Sequence, residues 1–589
     1  MFIRTLSQKN KSNGHVRKYA QIVESRRING EPRHVVLATL GRFDTAEGGE
    51  KLERLASSLV AATERLKLID LAKDLKALQT RSLGPILVFK RLWEELDLGR
   101  IIGSELALVG AEFDVAEAVF NMVLNRLTEP GSKRQLTLWE RDIEAVANFD
   151  PQHYYRALDY LIEHKEDIER GVFEKMKSLF NQDVDVVLFD TTTLIHYGDT
   201  DRHETLPNYG FSKDHRGDLK QVIVGVVLSK QGVPLAHEVF EGNKNDVTCF
   251  REMIERISTR FKVGKVVVVG DRGMISKANI EYLERSGYQY ILGYRMRTIP
   301  KEHRKWVFER AEFRKLKNLE LEHQDIEYEG RRLVVCYNAE RAEKDAAHRA
   351  GIIEKLEKRI TENATIHSIV DNASYRRFLH IRGDKPRIDR QKIERDAMYD
   401  GVFVLTTNTG LPAVQVVRAY KDLWQVEMAF RQLKTEIEMG PIYHWKDRRI
   451  RAHIMVCFLA FVLRSTLYRK LKAHHGAKRF SYRATINDLK RLRACELDAA
   501  GSRVKIRTEL EPGAAAAFAA IGMRPPSRAL STESLETVVI RAQLCASSAR
   551  SWRSFRKEVS KSRKRLLADR AEPTLRKVKE AVGFAHPRS

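Results

Sequence analysis

A chain of 589 residues is long enough for two to four domains with sizeable cores. Its 104 Lys and Arg against 79 Asp and Glu leave a net charge of +25, which favours a polyanionic partner, nucleic acid above all, and predicts affinity that falls steeply with salt. Five cysteines without CxxC spacing argue against a zinc site and a disulfide framework and fit a reducing cytoplasm, while Gln8, Lys9, Asn10 and Lys11 leave no room for the apolar core of a signal peptide.

The first 180 residues read as a mixed β and helical region. Residues 2–25 and 33–40 carry strand-type side chains, and Asn29-Gly30 between the runs 19–28 and 34–40 is a hairpin signal. Lys9, Lys11, Arg17, Lys18, Arg26 and Arg27 give this unit a basic surface that suits DNA backbone, or simply solvent. Helical patterning follows at 47–67, 84–98, 115–127 (closed by Glu129-Pro130-Gly131) and 154–180. Lys133, Arg134 and Arg141 among these helices suit a helix-turn-helix that reads DNA, although no recognition helix stands out.

The stretch 183–193, DVDVVLFDTTT, is the element that organises the rest. Val184 to Phe189 are mostly β-branched and aromatic, as in a buried strand, yet the run meets Asp190 and three threonines. A carboxylate there is costly unless something charged compensates it. The arrangement recurs at 265–274, KVVVVGDRGM, where a valine run ends in Gly270 and Asp271. Between them lie a polar loop with Lys213, His215, Arg216 and Lys220, the strands 221–229 and 233–240 with Gly232 at their turn, and a helix at 249–261; a helix at 277–286 and a strand at 288–294 follow. Strands first antiparallel, then parallel with intervening helices, are what a ribonuclease-H-like α/β fold requires. A third acid belongs to the helical segment 411–438, in which Tyr420, Glu427 and Lys434 are spaced by seven and seven and so share a face.

Three carboxylates gathered in one place repel unless a cation neutralises them. Hard oxygen ligands suit Mg²⁺ or Mn²⁺, and two such ions serve phosphoryl transfer by activating the attacking oxygen and stabilising the leaving one. The expected chemistry is therefore cutting or joining nucleic acid. Glu241, Asp246 and His237 read as loop structure near this centre. About a hundred residues separate the strand at 288–294 from the third acid. Residues 298–400 hold strands at 325–328 and 331–337 and a charged helix at 342–363, after which GVFVLTTN returns to strand character. The division is thus 1–180, an N-terminal DNA-binding region; 183–297, the first part of a catalytic core; 298–400, a β-rich insertion domain; 401–475, the second part of the core; and 476–589, a basic helical C-terminal region. The apolar run 454–463, ten residues ended by Arg464, is too short for a bilayer and reads as a buried helix, so no membrane is expected.

In residues 183–463 the chain resembles the DDE transposases of bacterial insertion sequences, specifically the IS-four superfamily with its Y-x2-R-x3-E-x6-K signature. Asp190 in LFDTTTL and Asp271 in GDRGM match the first two acids, and Tyr420, Glu427 and Lys434 hold the signature spacing; the Arg position is occupied by Leu423, with Arg431 one turn past Glu427 as a partial substitute. YGFSKDHRGDLKQ and VFEGNKND are most similar to the longer members. The resemblance implies that Asp190, Asp271 and Glu427 hold two Mg²⁺ (or Mn²⁺) ions. Hydrolysis at the element's terminal inverted repeats would then be followed by attack of the freed 3′-hydroxyl on target DNA. It further implies that Tyr420 and Lys434 grip the phosphates of the cleaved strand, with Arg431, Arg272, Lys213, Arg216 and Lys220 as further DNA contacts. Trp306, in the insertion, would stack on a flipped base. The protein would work on double-stranded DNA as a homodimer on paired ends, in the cytoplasm and associated with the nucleoid.

Two other readings share these residues: a ribonuclease-H-like nuclease or resolvase that makes no joined products, and an inactive DNA-binding regulator. Residues 550–579 hold twelve Lys or Arg against three acids, a tail suited to DNA contact or to solvent.

Overall fold

A computed structural model describes residues 2–9, 15–28, 31–62, 75–106, 111–180, 186–198, 205–261, 267–296, 299, 313–316, 319–362, 369–382, 385–476, 481–499 and 502–530. Trp306, the Asn29-Gly30 turn and the basic tail at 550–579 lie outside the described residues. Chain contacts divide into two compact units, the smaller made of 1–80, 495–506 and 529–531 and the larger of the rest.

In the smaller unit, β1 (Phe2–Lys9), β2 (Val16–Ile28) and β3 (Glu31–Arg42) form an antiparallel meander in which Ile28 stands opposite Glu31. Strands β1 and β3 are exposed along most of their length, and α1 (Ala46–Ala62) follows. Strand β4 (Leu75–Ser82), which the sequence does not announce, joins a four-stranded sheet with segments more than 400 residues downstream.

The larger unit starts with six helices: α2 (Gly84–Glu95), α3 (Leu98–Leu106), α4 (Val115–Thr128), α5 (Lys133–Trp139), α6 (Pro151–Glu163) and α7 (Lys165–Phe180). The single helical block expected at 154–180 is thus two helices that part at His164. Asp114 caps α4 by accepting from the Glu117 amide, and Ser132 and Gln135 form a reciprocal capping box on α5. Lys133, expected as a DNA contact, is instead 4% exposed, and burial lowers its ammonium to about 7.

A nine-stranded mixed sheet carries the rest. It uses β5 (Val186–Ile195), β6 (Gln221–Ser229), β7 (Pro234–Glu241), β8 (Val267–Gly270), β9 (Gln289–Tyr294), β10 (Arg314–Leu316), β11 (Leu321–Tyr328), β12 (Arg331–Tyr337) and β15 (Val402–Thr407), in the spatial order β10-β11-β12-β15-β9-β8-β5-β6-β7. Pairing is antiparallel throughout except for β5–β8 and β8–β9. All nine residues of β6 are buried, as a run of β-branched side chains covered on both faces requires. Gly232 takes φ +73 at the β6–β7 turn, a value that costs a non-glycine residue strain. The segment 298–400, expected as a separate insertion, does not stand apart from this sheet: β12 pairs with β15, which pairs with β9. Strands β13 (Leu379–Arg382) and β14 (Lys385–Ile388) form a separate hairpin.

Helices α8 (Asp246–Phe261) and α9 (Lys277–Arg285) connect the parallel strands, and α10 (Ala339–Thr361), α11 (Ala373–Arg376) and α12 (Arg390–Ala397) fall between β12 and β15. Then come α13 (Ala413–Lys421), α14 (Trp424–Thr435), α15 (Asp447–His475), α16 (Tyr482–Arg491) and α17 (Pro512–Ala520). Helix α15 is 29 residues long, far more than its ten-residue apolar run, and by length and composition could cross a membrane. Its most apolar window is 94% buried, against α2, α4, α6 and β7 among others, so it is a core helix.

Under α15, at the start of α7, lies a buried charge network. The Lys165 ammonium donates to Glu169 (3.0 Å), Glu238 (2.9 Å) and the His237 carbonyl (2.9 Å). His237, within the strand expected at 233–240, is in β7, stacked on Phe458. Burial lowers its pKa, and likewise those of His196, His453 and His444, the last to about 3. A histidine held neutral in the folded state has a folded pKa below its unfolded value, so the unfolded chain binds more protons as pH drops through about 6.5. Asp190, Glu94 and Glu140, raised by burial, act in the opposite sense, and Asp190, pushed up to about 6, offsets part of the loss at pH 6. Resistance to urea is therefore expected to be lower at pH 6 than at pH 7.5, by about 1 kcal/mol or more; unchanged midpoints across that range would contradict it.

Candidate active site

The parallel pair β5–β8 sets two acids side by side. Val186, Val187 and Leu188 stand opposite Val267, Val268 and Val269, so the same register brings Asp190 level with Asp271, just past the end of β8. The two are not alike. Strand β5 does not end at Asp190, as the sequence suggests, but runs on to Ile195 paired with β6. Asp190 thus sits mid-strand on one side and at a ladder's end on the other. Because side chains alternate, Phe189, packed on Phe250 of α8, faces one side of the sheet and Asp190 the other.

Glu427 comes to the same place from α14. The helical segment expected as continuous is broken: α13 ends at Lys421 and α14 starts at Trp424, with i to i+3 hydrogen bonds from the amides of Leu423, Gln425 and Val426 tightening the junction. Tyr420 and Glu427 still reach one cleft of about 340 Å³, whose lining includes Asp190, Asp271, Phe403 and Arg341. Tyr420 stacks on Phe403 and donates its hydroxyl to Asp271 at 3.2 Å. Burial, then the neighbouring Asp271, raises the Tyr420 pKa, so the hydroxyl keeps its proton. Gly293 on β9 makes room for it: a Cβ there would lie 2.6 Å from the Tyr420 hydroxyl.

The electrostatics are those of acids short of counter-charge. Burial pushes the Asp190 carboxyl up to about 6, with Asp271 and Asp246 adding to the rise and Lys213 opposing it. Among the described residues the exposed Glu427 carboxylate has no hydrogen bond or ion pair, and the Arg431 pairing possible at i+4 is not formed. Asp246, expected as loop structure, opens α8 and accepts from the Thr191 hydroxyl at 2.5 Å, which places a fourth carboxylate beside Asp190. The asparagine- and lysine-rich GNKND stretch ahead of a helix is the only signal for it in the sequence.

The cations are distributed differently from expectation. Lys213 donates to the carbonyl and hydroxyl of Thr191 (2.8 and 2.9 Å). Lys434 is held by both oxygens of Asp214 (3.0 and 2.9 Å), and Arg216 is paired bidentately with Asp218. Lys434 and Arg431 are not among the cleft residues; Arg272 is exposed beside Asp271, and Lys220 is half-buried at the start of β6. Leu423 does line the cleft, and so do two cations, Lys421 and Arg341 from α10, the latter stacked over Phe403. Sequence reasoning misses Arg341 because it belongs to a segment that looks like solvated surface.

A divalent ion fits this donor set in kind: all the candidate ligands are hard carboxylate oxygens, and those of Glu427 have free lone pairs. Among the described residues no three His, Cys, Asp or Glu stand close enough to form a ready-made cage.

Residues 182–463 match the transposase DDE domain family, and residues 3–69 match the N-terminal domain of IS1634 family transposases. A Sinorhizobium fredii protein provisionally named as a transposase, y4zB, is 28% identical over 98 residues, 16% of this chain. The chain matches only 27% of the length of that curated relative. Among solved structures, a piggyBac transposase synaptic complex with hairpin DNA aligns with 81% of this chain and 84% of its own at 10% identity and a TM-score of 0.34. A Mos1 transposase paired-end complex with left transposon end aligns with 31% and 60% at 11% identity and a TM-score of 0.13.

Proposed function

Because this chain is a DDE transposase of the bacterial insertion-sequence kind, we propose that it cuts DNA at the ends of its own element and joins the freed ends to target DNA. The observation that carries this reading is the meeting of Asp190, Asp271 and Glu427, from two strands and a distant helix, in one cleft. The spatial order β7-β6-β5-β8-β9, antiparallel and then parallel, is the order of a ribonuclease-H-like core, and supports it.

In this reading Asp190, Asp271 and Glu427 hold the Mg²⁺ or Mn²⁺ ions, two by analogy with similar enzymes. The ions supply charge for the attacking and leaving oxygens of phosphoryl transfer. The chain's own residues do the rest. Tyr420 orients Asp271 through its hydroxyl and, staying protonated, offers a donor to a phosphate oxygen once Asp271 is otherwise engaged. Arg341 supplies the phosphate-seeking guanidinium that Leu423 cannot. Lys434, paired with Asp214, and Arg216, paired with Asp218, keep further N–H donors for DNA phosphates. Lys213, Lys220, Arg272 and Arg431 border the strand's path, and Trp306 remains the candidate for stacking on a flipped base.

The domain plan we propose keeps 1–180 for DNA-end binding, 183–297 and 401–475 for catalysis, 298–400 as an accessory segment that lends Arg341 to the cleft, and 476–589 for non-specific contact. The enzyme acts as a homodimer on paired ends of double-stranded DNA, in the cytoplasm at the nucleoid. The test is incubation of labelled DNA carrying the two sequences that flank the gene with Mg²⁺ or Mn²⁺. Metal-dependent cuts at the repeat tips and joined products are expected. Cuts without joined products would favour a nuclease, and salt-sensitive binding without any cutting would favour a regulator.

A further inference from the structure

The loop between β5 and β6 brings a lysine to the acids in a particular manner. The Lys213 amide donates to the Thr193 hydroxyl at 3.1 Å, which ties the loop to β5. Its ammonium lies 3.8 Å from Asp190 and 3.6 Å from Asp246, beyond hydrogen-bond range of both. The hydrogen bonds it does make go to Thr191, at its carbonyl and its hydroxyl. The Thr191 hydroxyl in turn gives its single proton to Asp246. The cation is therefore fastened to the strand rather than to the carboxylates, and its position does not depend on what else those carboxylates bind.

From this geometry we infer that Lys213 and Asp246 are a fixed counter-charge pair that sets how strongly the Asp190 end of the cleft binds a divalent cation. This rests on the reading of Asp190, Asp271 and Glu427 as the metal-holding acids. A positive charge anchored beside Asp190 repels an incoming divalent ion, and the Asp246 carboxylate, 3.6 Å from that ammonium, offsets part of the repulsion. The two residues therefore act in opposite directions. A weakly held ion whose remaining ligands come from DNA phosphates ties metal loading to the presence of DNA. Neither residue needs to touch the reacting atoms, so both are positioning residues in the electrostatic sense.

The test is Mn²⁺ binding to the full-length chain without DNA, read from the loss of the free-ion electron paramagnetic resonance signal. Lys213→Met, which keeps the length and removes the charge, is expected to bind Mn²⁺ about tenfold more tightly, and Asp246→Asn about tenfold more weakly. Lys213→Arg, which keeps the charge, should stay within about twofold of the unsubstituted chain. A merely structural role would weaken binding in both Lys213→Met and Asp246→Asn, or move neither, and either result overturns the inference. Thermal melts of each variant establish that the fold is intact, and a Lys213→Met chain that fails to fold is replaced by Lys213→Gln, for which the same tightening is expected and unchanged or weaker binding overturns the inference. Asp271→Asn is the separate control: if it binds Mn²⁺ as the unsubstituted chain does, the three-acid reading fails, whatever Lys213 does.

Discussion

Glu427→Gln is expected to abolish metal-dependent cleavage of DNA that carries the element's ends, lowering the rate by roughly 10³-fold or more, while leaving the urea midpoint nearly unchanged. The separation of these two effects follows from where Glu427 sits. It is exposed, in the first turn of α14, and among the described residues nothing hydrogen-bonds or ion-pairs with its carboxylate. Losing its charge removes only a helix-dipole contribution of about 0.3–1 kcal/mol. On the proposed reading, the same loss of charge takes away one of three anionic ligands, for which an amide oxygen is a poor replacement with a hard cation. Glu427→Asp tests the geometry: with one methylene less, the carboxylate retreats toward the helix, and cleavage should be similarly impaired. A Glu427→Gln chain that cuts at an ordinary rate would remove the residue from the catalytic set.

Lys165→Met is expected to do the reverse, costing the fold about 3–5 kcal/mol with no direct effect on the chemistry. Lys165 is the ammonium on which Glu169 and Glu238 converge, their side chains 1% and 4% exposed. Without it, two buried carboxylates lose their shared ammonium, Glu169 keeping its contact with neutral His237 and Glu238 its pairing with Arg256 at the edge. An uncompensated buried charge is far costlier than the pair was worth, which is why removing one partner is harsher than replacing both. A urea-unfolding series on Lys165→Met and on Lys165→Met/Glu238→Gln checks this: the double variant should recover part of the loss. A midpoint for Lys165→Met equal to that of the unsubstituted chain would show that water, not the lysine, compensates these acids.

The contrast between these two residues also separates what is legible in the amino-acid sequence from what is not. Strands β5, β6 and β8 are legible because valine-rich runs have no good alternative to a buried sheet, and an acid at the end of such a run draws attention to itself. Glu427 is legible through its spacing from Tyr420 and Lys434. The break before α14 is not, since Asp422 and Leu423 are tolerable inside a helix and only the tertiary position of α13 makes the chain tighten there. Strand β4 is invisible because LKALQTRS lacks alternation and its partners lie over 400 residues away. The joining of β10 to β12 to the main sheet is hidden for a related reason: which edge a strand pairs with is decided by the whole sheet. Arg341 and Asp246 escape notice because their importance comes from neighbours, not from any local pattern.

Helix α15 bears on how the chain is made. It is the one described segment with enough length and apolar character to be captured by a bilayer, and it emerges from the ribosome late. Its partners α2, α4, α6 and β7 have by then been synthesised, and α17 is still to follow. Domains fold as they emerge, from the N-terminus onward. The groove that receives α15 is therefore waiting when the helix appears, and its greasiest stretch spends little time without a home. A gene rearranged so that α15 came first would code for the same contacts and present the cell with a different problem: a hydrophobic helix in search of its own protein.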